Sequence, residues 1–273
     1  MADAFIGSEA ITAGKLTPYK LRSRFAAIYP DVYVPNDVEV TAKLRAQACW
    51  LWSRRRGALA GFSASALHGA KWIDARRPAE ILYDNRHTPP GIRAYRDQAA
   101  EDEIEVLSGM RVTTPARTAL DIACRHPLQT AVTAIDSLAQ ATDLKLADMD
   151  ALAQRHPGRR GIKRARVSLR LVDPGAESPR ETWLRLVLIG AGFPRPRTQI
   201  PVYDQLGLLI ARLDLVAAEY EGDHHEDEAM HSVQRQLADV GLECDADEAR
   251  RSCGRLAARS RSSFAALKAR LPA

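Results

Sequence analysis

Seven carboxylates and two histidines lie within fifteen residues, between Asp214 and Glu228. This acidic cluster follows an apolar segment in a chain whose formal net charge is +5. Grouped carboxylates are typical ligands of a hard divalent cation such as Mg²⁺, which lowers the pKa of a bound water and neutralises charge on a phosphate. A solvated acidic loop has the same composition. The cluster therefore indicates either a metal site or a solvent-exposed segment.

The residues before the cluster predict a β-hairpin that carries Asp214 near the end of its second strand. Its strands are TQIPVYD and LLIARLDLV, and its turn is QLG. Glu219 and Glu221 follow with strand alternation, so these two glutamates share one face. Only four residues separate Asp214 from Glu219, and in one continuous strand the aspartate faces away from both glutamates. A shared metal site then requires a bulge that restores the parity.

A helix is predicted to precede this hairpin, over ESPRETWLRLVLIGAGF. Ser178 and Glu181 have the spacing of a capping box, with Pro179 at the first helical position. Gly190 and Gly192 supply the C-terminal stop. Glu181 therefore has a structural explanation in addition to any role in a site.

Charge is distributed unevenly along the chain. Residues 150–200 carry eleven Lys and Arg against four acids, residues 201–250 carry three against thirteen, and residues 251–273 carry six against none. A phosphate-binding surface around a metal site has this asymmetry, although solvated helix faces produce it too.

The N-terminal segment predicts a winged helix. One short helix ends near Gly14, a second begins with Thr17 as N-cap and Pro18 at the first helical position, and RFAAIYPDVYV predicts a hairpin that turns at Pro30 and Asp31. A helix, a turn, a second helix and a wing form a DNA-binding pattern. The alternative is that short basic helices are simply soluble. The residues predicted to face DNA are Lys15, Tyr19, Lys20, Arg22 and Arg24.

The middle of the chain predicts short strands followed by helices. AEILYD, GIRAYR and EVLSGMRVT alternate as strands do, and Thr114 with Pro115 begins a helical region that continues to residue 173. The cations at 54–56 follow a predicted helix, where they complement its dipole; a phosphate role is the alternative. The basic helix RRGIKRARVSLRLVD carries its cations on more than one face, which favours solvent at least as much as nucleic acid.

Composition excludes several classes of protein. Apolar residues at 46% and charged residues at 27% are ordinary globular values. The longest uncharged apolar stretch, LVLIGAGF, is far shorter than a membrane span of about 20 residues, and the N-terminus lacks a basic signal region. The four cysteines form no CxxC pair, which fits a reducing compartment. We therefore expect a cytoplasmic protein that does not enter a membrane.

Residues 177–225 resemble a bacterial family related to the very-short-patch mismatch endonuclease, with a PD-(D/E)xK core. The resemblance rests on ESPRETWLR, GAGFPRPRTQIPV, ARLDL and EYEGDHH. It implies a restriction-endonuclease-like α/β domain in which Asp214 and Glu219 are ligands of Mg²⁺ or Mn²⁺. Glu221 occupies the place where such enzymes carry Lys, and Glu181 is an accessory acid. After Leu242 the sequence departs from the family pattern.

The N-terminal part resembles AbiEi-type antitoxins, which are DNA-binding regulators in toxin–antitoxin and abortive-infection systems. The segments that carry this resemblance are GSEAITAGKLTPYKLRSRFAAIYPDVYV, SASALHGA and VTTPARTALDIA. The resemblance implies that DNA and a toxin protein are the partners.

These observations predict an α/β protein, α+β overall. The predicted segments are a winged helix at 1–40, a mixed α/β middle domain at 41–114, a helical connector at 115–173 and a nuclease-like domain at 174–273. The predicted function is DNA binding. The alternatives are an active Mg²⁺- or Mn²⁺-dependent DNA endonuclease and an antitoxin that represses its own operon. The sequence does not specify an oligomeric state.

Overall fold

Helices and β-strands alternate along the described chain, which confirms the predicted α+β class. The computed structural model describes residues 4–203 and 209–216, with side chains described through residue 201. The chain forms two compact units, Met1–Pro179 and Arg180–Ala273.

The N-terminal segment has the predicted arrangement of two helices and a wing. Its three strands form an antiparallel sheet in the order β1-β3-β2, and the β2–β3 hairpin is the wing. The elements are β1 (Phe5–Ile6), α1 (Gly7–Thr12), α2 (Pro18–Arg24), β2 (Phe25–Tyr29) and β3 (Val32–Pro35).

Local sequence explains where α2 begins. The Thr17 hydroxyl accepts a hydrogen bond from the backbone N–H of Lys20 at 3.2 Å, and Pro18 follows at the first helical position. Gly14 has a φ of +68° between the two helices, a conformation that glycine adopts without steric cost. The sequence therefore sets both the turn and the start of α2.

A five-stranded mixed sheet follows, in the order β6-β5-β4-β8-β7. The pairs β4–β8 and β5–β6 are parallel, and the other two are antiparallel. The predicted strand runs correspond to β5, β6, β7 and β8. The elements are α3 (Ala42–Trp52), β4 (Ala58–Leu59), α4 (Gly61–Leu67), β5 (Ala79–Leu82), β6 (Ile92–Tyr95), β7 (Ile104–Leu107) and β8 (Met110–Thr113).

Four helices cover residues 115–170. The first begins as predicted, with Thr114 as N-cap accepting from the Arg117 N–H at 3.4 Å and with Pro115 at the first position. The four helices share one buried apolar core with Phe62 of α4, so they pack against that helix. They are α5 (Pro115–Arg125), α6 (Leu128–Ala141), α7 (Leu146–Arg155) and α8 (Ile162–Arg170).

Helix α3 joins the winged helix to the five-stranded sheet. Its buried residues Ala48 and Cys49 belong to one apolar cluster that includes Val34 of the wing as well as Ile81 and Val112 of the larger sheet. Burial raises the pKa of the Cys49 thiol, so this cysteine is a packing residue and not a reactive one. The two sheets therefore rest on a common core.

The second unit contains the predicted hairpin, and the predicted helix leads into it. Helix α9 (Pro179–Gly190) begins at the predicted proline, and strands β9 (Arg197–Tyr203) and β10 (Leu209–Val216) pair antiparallel. Leu213 lies opposite Ile200, and Leu215 lies opposite Thr198. None of the helices in the described parts of the chain is long and apolar enough to cross a membrane.

Candidate nucleic-acid interface

Helix α2 and the turn before it carry all five residues that the sequence predicts to contact DNA. Each of the five side chains is exposed, and Tyr19 is 75% exposed. Leu21 is the single buried residue of the helix and anchors it to the domain. Lys15 in the turn and Tyr19, Lys20, Arg22 and Arg24 on the helix are therefore all open to solvent.

The cations of α2 are not neutralised by neighbouring acids. Within residues 4–203, Lys15, Lys20, Arg22 and Arg24 form no ion pair. Lys20 and Arg24 are one helical turn apart, so they lie on the same face. This face presents an uncompensated positive potential of the kind that attracts phosphates.

The C-terminal end of α2 is tied to the wing. The Asn36 backbone N–H donates to the Arg24 carbonyl at 3.0 Å, and its side-chain amide donates to the Ser23 carbonyl at 3.2 Å. Phe25, the residue after the helix, meets the Phe5 ring edge-on at 5.0 Å between centroids. These contacts hold the exposed helix and the wing in one orientation.

The tip of the wing is anchored to the start of α1. The Asp31 carboxylate accepts the Ser8 backbone N–H at 2.8 Å and the Ser8 hydroxyl at 2.5 Å, and the Arg54 guanidinium donates to it at 2.7 Å. Burial raises the pKa of Asp31, but the hydrogen bonds from Ser8 and Arg54 outweigh it, so the pKa lies below its ordinary value. The ionised carboxylate thus links the tip of the wing to the start of α1.

Two adjacent arginines after α3 connect that segment to the wing tip and to α1. Arg55 forms a two-point ion pair with Glu9 of α1, with both N–O distances at 2.7 Å, and its hydrogen bond lowers the pKa of Glu9. Arg54 and Arg55 have φ angles of 56° and 63°, in the left-handed region that side chains rarely adopt. Arg56 donates to the Tyr83 hydroxyl at 2.5 Å. These arginines therefore hold elements of the protein together, whereas those of α2 face solvent.

This role of Arg54 and Arg55 was not predicted from the sequence, in which the dipole of the preceding helix accounts for them and a phosphate role is the alternative. The available signal was the pair of acids Glu9 and Asp31 within residues 4–35, where every other charged residue is a cation.

A buried ionic network includes two residues of α5. Arg117, which is 1% exposed, pairs with Glu103 and, at 2.8 Å, with Asp121. His156 lies 2.7 Å from the Glu103 carboxylate, and Arg155 lies 3.5 Å from it. Burial raises the pKa of Glu103, but the bonds to His156 and Arg117 outweigh this effect and lower it overall.

A second buried carboxylate, Glu80 of β5, has several donors around it. It accepts the Phe62 backbone N–H at 2.9 Å and the Tyr95 hydroxyl at 3.2 Å, and His126 Nε2 lies 3.2 Å away. Burial raises its pKa, yet the interaction with His126 and the backbone bond lower it below the ordinary value. Both carboxylates are ionised and satisfied inside the domain, so their role is structural.

The predicted metal-site residues are only partly described. Asp214 lies within β10, but its side chain, Glu219 and Glu221 are outside the described residues. Glu181 is half-buried in the first turn of α9. Among the described residues no three His, Cys, Asp or Glu side chains are arranged to hold a metal ion. The Mg²⁺ or Mn²⁺ site therefore stays a prediction.

Comparison with known proteins supports the antitoxin-like region. Residues 58–171 match the family described as AbiEi antitoxin C-terminal domain. Two relatives from Mycobacterium tuberculosis, the uncharacterized protein MT2308 of strain CDC 1551 / Oshkosh and the uncharacterized protein Rv2248 of strain ATCC 25618 / H37Rv, are each 27% identical to the chain over 248 residues. These alignments cover 85% of this chain and 89% of each relative. No solved structure matches the chain.

Proposed function

We propose that the protein binds duplex DNA through its N-terminal winged helix and serves as a regulator of the toxin–antitoxin kind. The single observation that carries this proposal is the contrast between two sets of cations. Those of α2 are exposed and without acidic partners among the described residues, whereas Arg54 and Arg55 are engaged in ion pairs. The cations of α2 remain available for phosphates.

The geometry of the winged helix favours DNA over a small anion. Helix α2 and the turn before it hold four exposed cations, and the strands of the wing follow the helix directly. In winged and other helix-turn-helix proteins the second helix enters the major groove while neighbouring groups contact the backbone. We therefore infer that α2 is the recognition helix and that its cations position the protein on the phosphates.

The preorganised wing supports the same function. Asp31 and Arg54 fix the wing tip, and Asn36 fixes the end of α2, before any ligand arrives. A surface that is already ordered loses less conformational entropy on binding, which increases affinity without adding contacts.

The toxin–antitoxin part of the proposal is supported by the similarity of residues 58–171 to the AbiEi antitoxin C-terminal domain. This region is continuous with the winged helix through the core of α3. We infer that DNA and a toxin protein are the two partners of the unit Met1–Pro179.

The test is DNA binding by fluorescence anisotropy at several salt concentrations. For the wild-type protein, log K falls linearly with log salt, with a slope of roughly 0.9 per phosphate neutralised. The double variant Lys20→Ala/Arg22→Ala is expected to bind more weakly and to lose about 1.8 from the magnitude of this slope.

A matched control removes two exposed cations elsewhere. Lys145→Ala/Arg111→Ala changes the net charge by the same amount, but both residues lie outside the winged helix. This control is expected to bind DNA as the wild type does. A flat salt response of the wild type, or equal weakening in the two double variants, would show that α2 is not the DNA-binding element.

A further inference from the structure

An open groove of about 730 Å³ lies between the end of β6, the end of α5 and the start of α8. Its acidic lining residue is Asp97, and Tyr95 contributes an aromatic ring. The remaining charged residues of the lining are cations, namely Arg125, Arg159, Arg160, Lys163 and Arg164.

The charged residues at the start of α8 have the opposite sign to those that usually occupy a helix N-terminus. The N-terminus of a helix carries a partial positive charge and favours acids. Here the first turn contains no acid and no side chain caps it, yet Arg160, Lys163 and Arg164 surround it. Such an arrangement is unfavourable by itself and becomes favourable when an anion lies at the helix start.

The groove contains more positive charge than its own acids neutralise. Arg125 and Arg159 are compensated, since both pair with Asp97 and with Asp121. Arg160 and Lys163 are exposed and have no acidic partner within the described chain.

Arg164 adds a third positive charge without an acid. It donates to the Cys124 carbonyl at 2.5 Å, which does not neutralise its charge. Together with Arg160 and Lys163 it leaves three uncompensated charges beside the N-terminus of α8.

Donors also exceed acceptors in the wall of the groove. Arg125 Nη1 lies 3.3 Å from the buried Asp121 Oδ2, but among the described residues Arg159 Nη1 and Arg164 Nε are buried without a hydrogen-bond acceptor. Buried guanidinium nitrogens are normally satisfied, so this excess indicates a site that an acceptor-rich ligand would complete.

The floor of the groove is rigid. The Arg125 guanidinium stacks on the Tyr95 ring at 3.6 Å from its centroid, and Arg125 and Arg159 are only 11% and 12% exposed. Gly161 has a φ of +85°, and a Cβ there would lie 2.3 Å from the Cys124 carbonyl, so α8 packs closely on α5. These cations are therefore held in place, unlike those of a solvated helix face.

We propose that this groove binds a compact polyphosphate, of the class formed by the phosphate chain of a nucleoside di- or triphosphate. Three uncompensated cations and a helix N-terminus match the charge of such a chain, and a recess with a buried arginine floor suits a small anion. The groove is separate from the DNA-binding surface of α2, because it is formed by residues of β6, α5 and α8 and of the segments next to them.

The experiment is isothermal titration of the full-length protein with ATP and, separately, with sodium triphosphate. The wild type is expected to bind both. Arg160→Ala/Lys163→Ala is expected to weaken binding at least about 10-fold, because it removes two charge-assisted contacts. Both residues are exposed, so circular dichroism should show an unchanged fold; Arg160→Gln/Lys163→Gln provides a second variant with longer side chains.

The control is Lys20→Ala/Arg22→Ala, which is expected to bind ATP and triphosphate as the wild type does. A duplex DNA titration of the same proteins separates this inference from the proposed DNA-binding function. Three results would overturn the inference: no binding of either phosphate compound at millimolar concentration, equal weakening by the groove and α2 variants, or a groove variant that weakens DNA binding alone.

Discussion

Gly61 lies against the buried carboxylate of Glu80 so closely that a Cβ on the glycine would be 1.7 Å from Glu80 Oε2. The carboxylate cannot easily move aside, because it accepts the Phe62 N–H and the Tyr95 hydroxyl. Gly61 also has a φ of +52°, which a side chain disfavours. The close approach of this helix start to β5 therefore depends on glycine.

Gly61→Ala is expected to lower the free energy of unfolding by roughly 2 to 4 kcal/mol, since the steric clash adds to the cost of the left-handed backbone. Gly109→Ala is the matched control. It has a φ of +79° with nothing within 4 Å of the added Cβ, so only the backbone cost of about 1 kcal/mol applies. Urea denaturation measures both variants, and equal losses would contradict the clash.

Arg117→Ala is expected to destabilise the protein by roughly 3 to 5 kcal/mol, because it removes the buried arginine that pairs with both Glu103 and Asp121. Arg76→Ala removes an ion pair with Asp74 on the surface and is expected to cause no measurable change. Thermal unfolding compares the two variants. Similar melting temperatures would mean that the buried network does not stabilise the domain.

The lowered pKa of Glu103 predicts how stability depends on pH. A carboxyl whose pKa is lower in the folded state contributes stability above its unfolded value, near 4.5, and loses it as the pH falls through the folded value. The groups facing this carboxylate are Arg117, Arg155 and His156. Wild type and Glu103→Gln should therefore differ most in stability above pH 4.5.

Denaturant unfolding at a series of pH values measures this difference. It is expected to shrink as the solution is acidified below that value, because the wild-type glutamate then becomes neutral as the glutamine already is. A difference that grows on acidification would contradict the assigned direction of the pKa shift.

Tyr19→Ala is expected to weaken DNA binding about 5-fold if its hydroxyl donates to a phosphate, the equivalent of one hydrogen bond of about 1 kcal/mol. The side chain carries no charge, so the salt dependence should stay at the wild-type slope. Because Tyr19 is 75% exposed, the variant should unfold as the wild type does. Unchanged affinity would remove this residue from the interface.

Elements with strong local signals could be predicted from the sequence. Thr17 with Pro18 and Thr114 with Pro115 mark helix starts through a side-chain cap and a missing N–H, both of which act within one turn. The exposed cations of α2 follow from the same local pattern. Their role in binding DNA stays a proposal.

Features that depend on distant contacts could not be predicted. Strand β4 has two residues and exists because β5 and β8 pair with it from either side. The Arg55–Glu9 pair joins residues 46 positions apart, so the local pattern indicated only a basic helix end. The cationic groove likewise combines Arg125 of α5 with residues at and just before the start of α8, whereas the sequence showed only a helix with charges on several faces.

The shared packing of α3 has a mechanical consequence. Its buried Ala48 and Cys49 fill the space under both the wing and the larger sheet, and the Arg55–Glu9 pair braces the same junction from outside. The winged helix and the five-stranded sheet are thus parts of one packed body, so DNA bound at α2 as proposed would be held by the same core that supports the sheet.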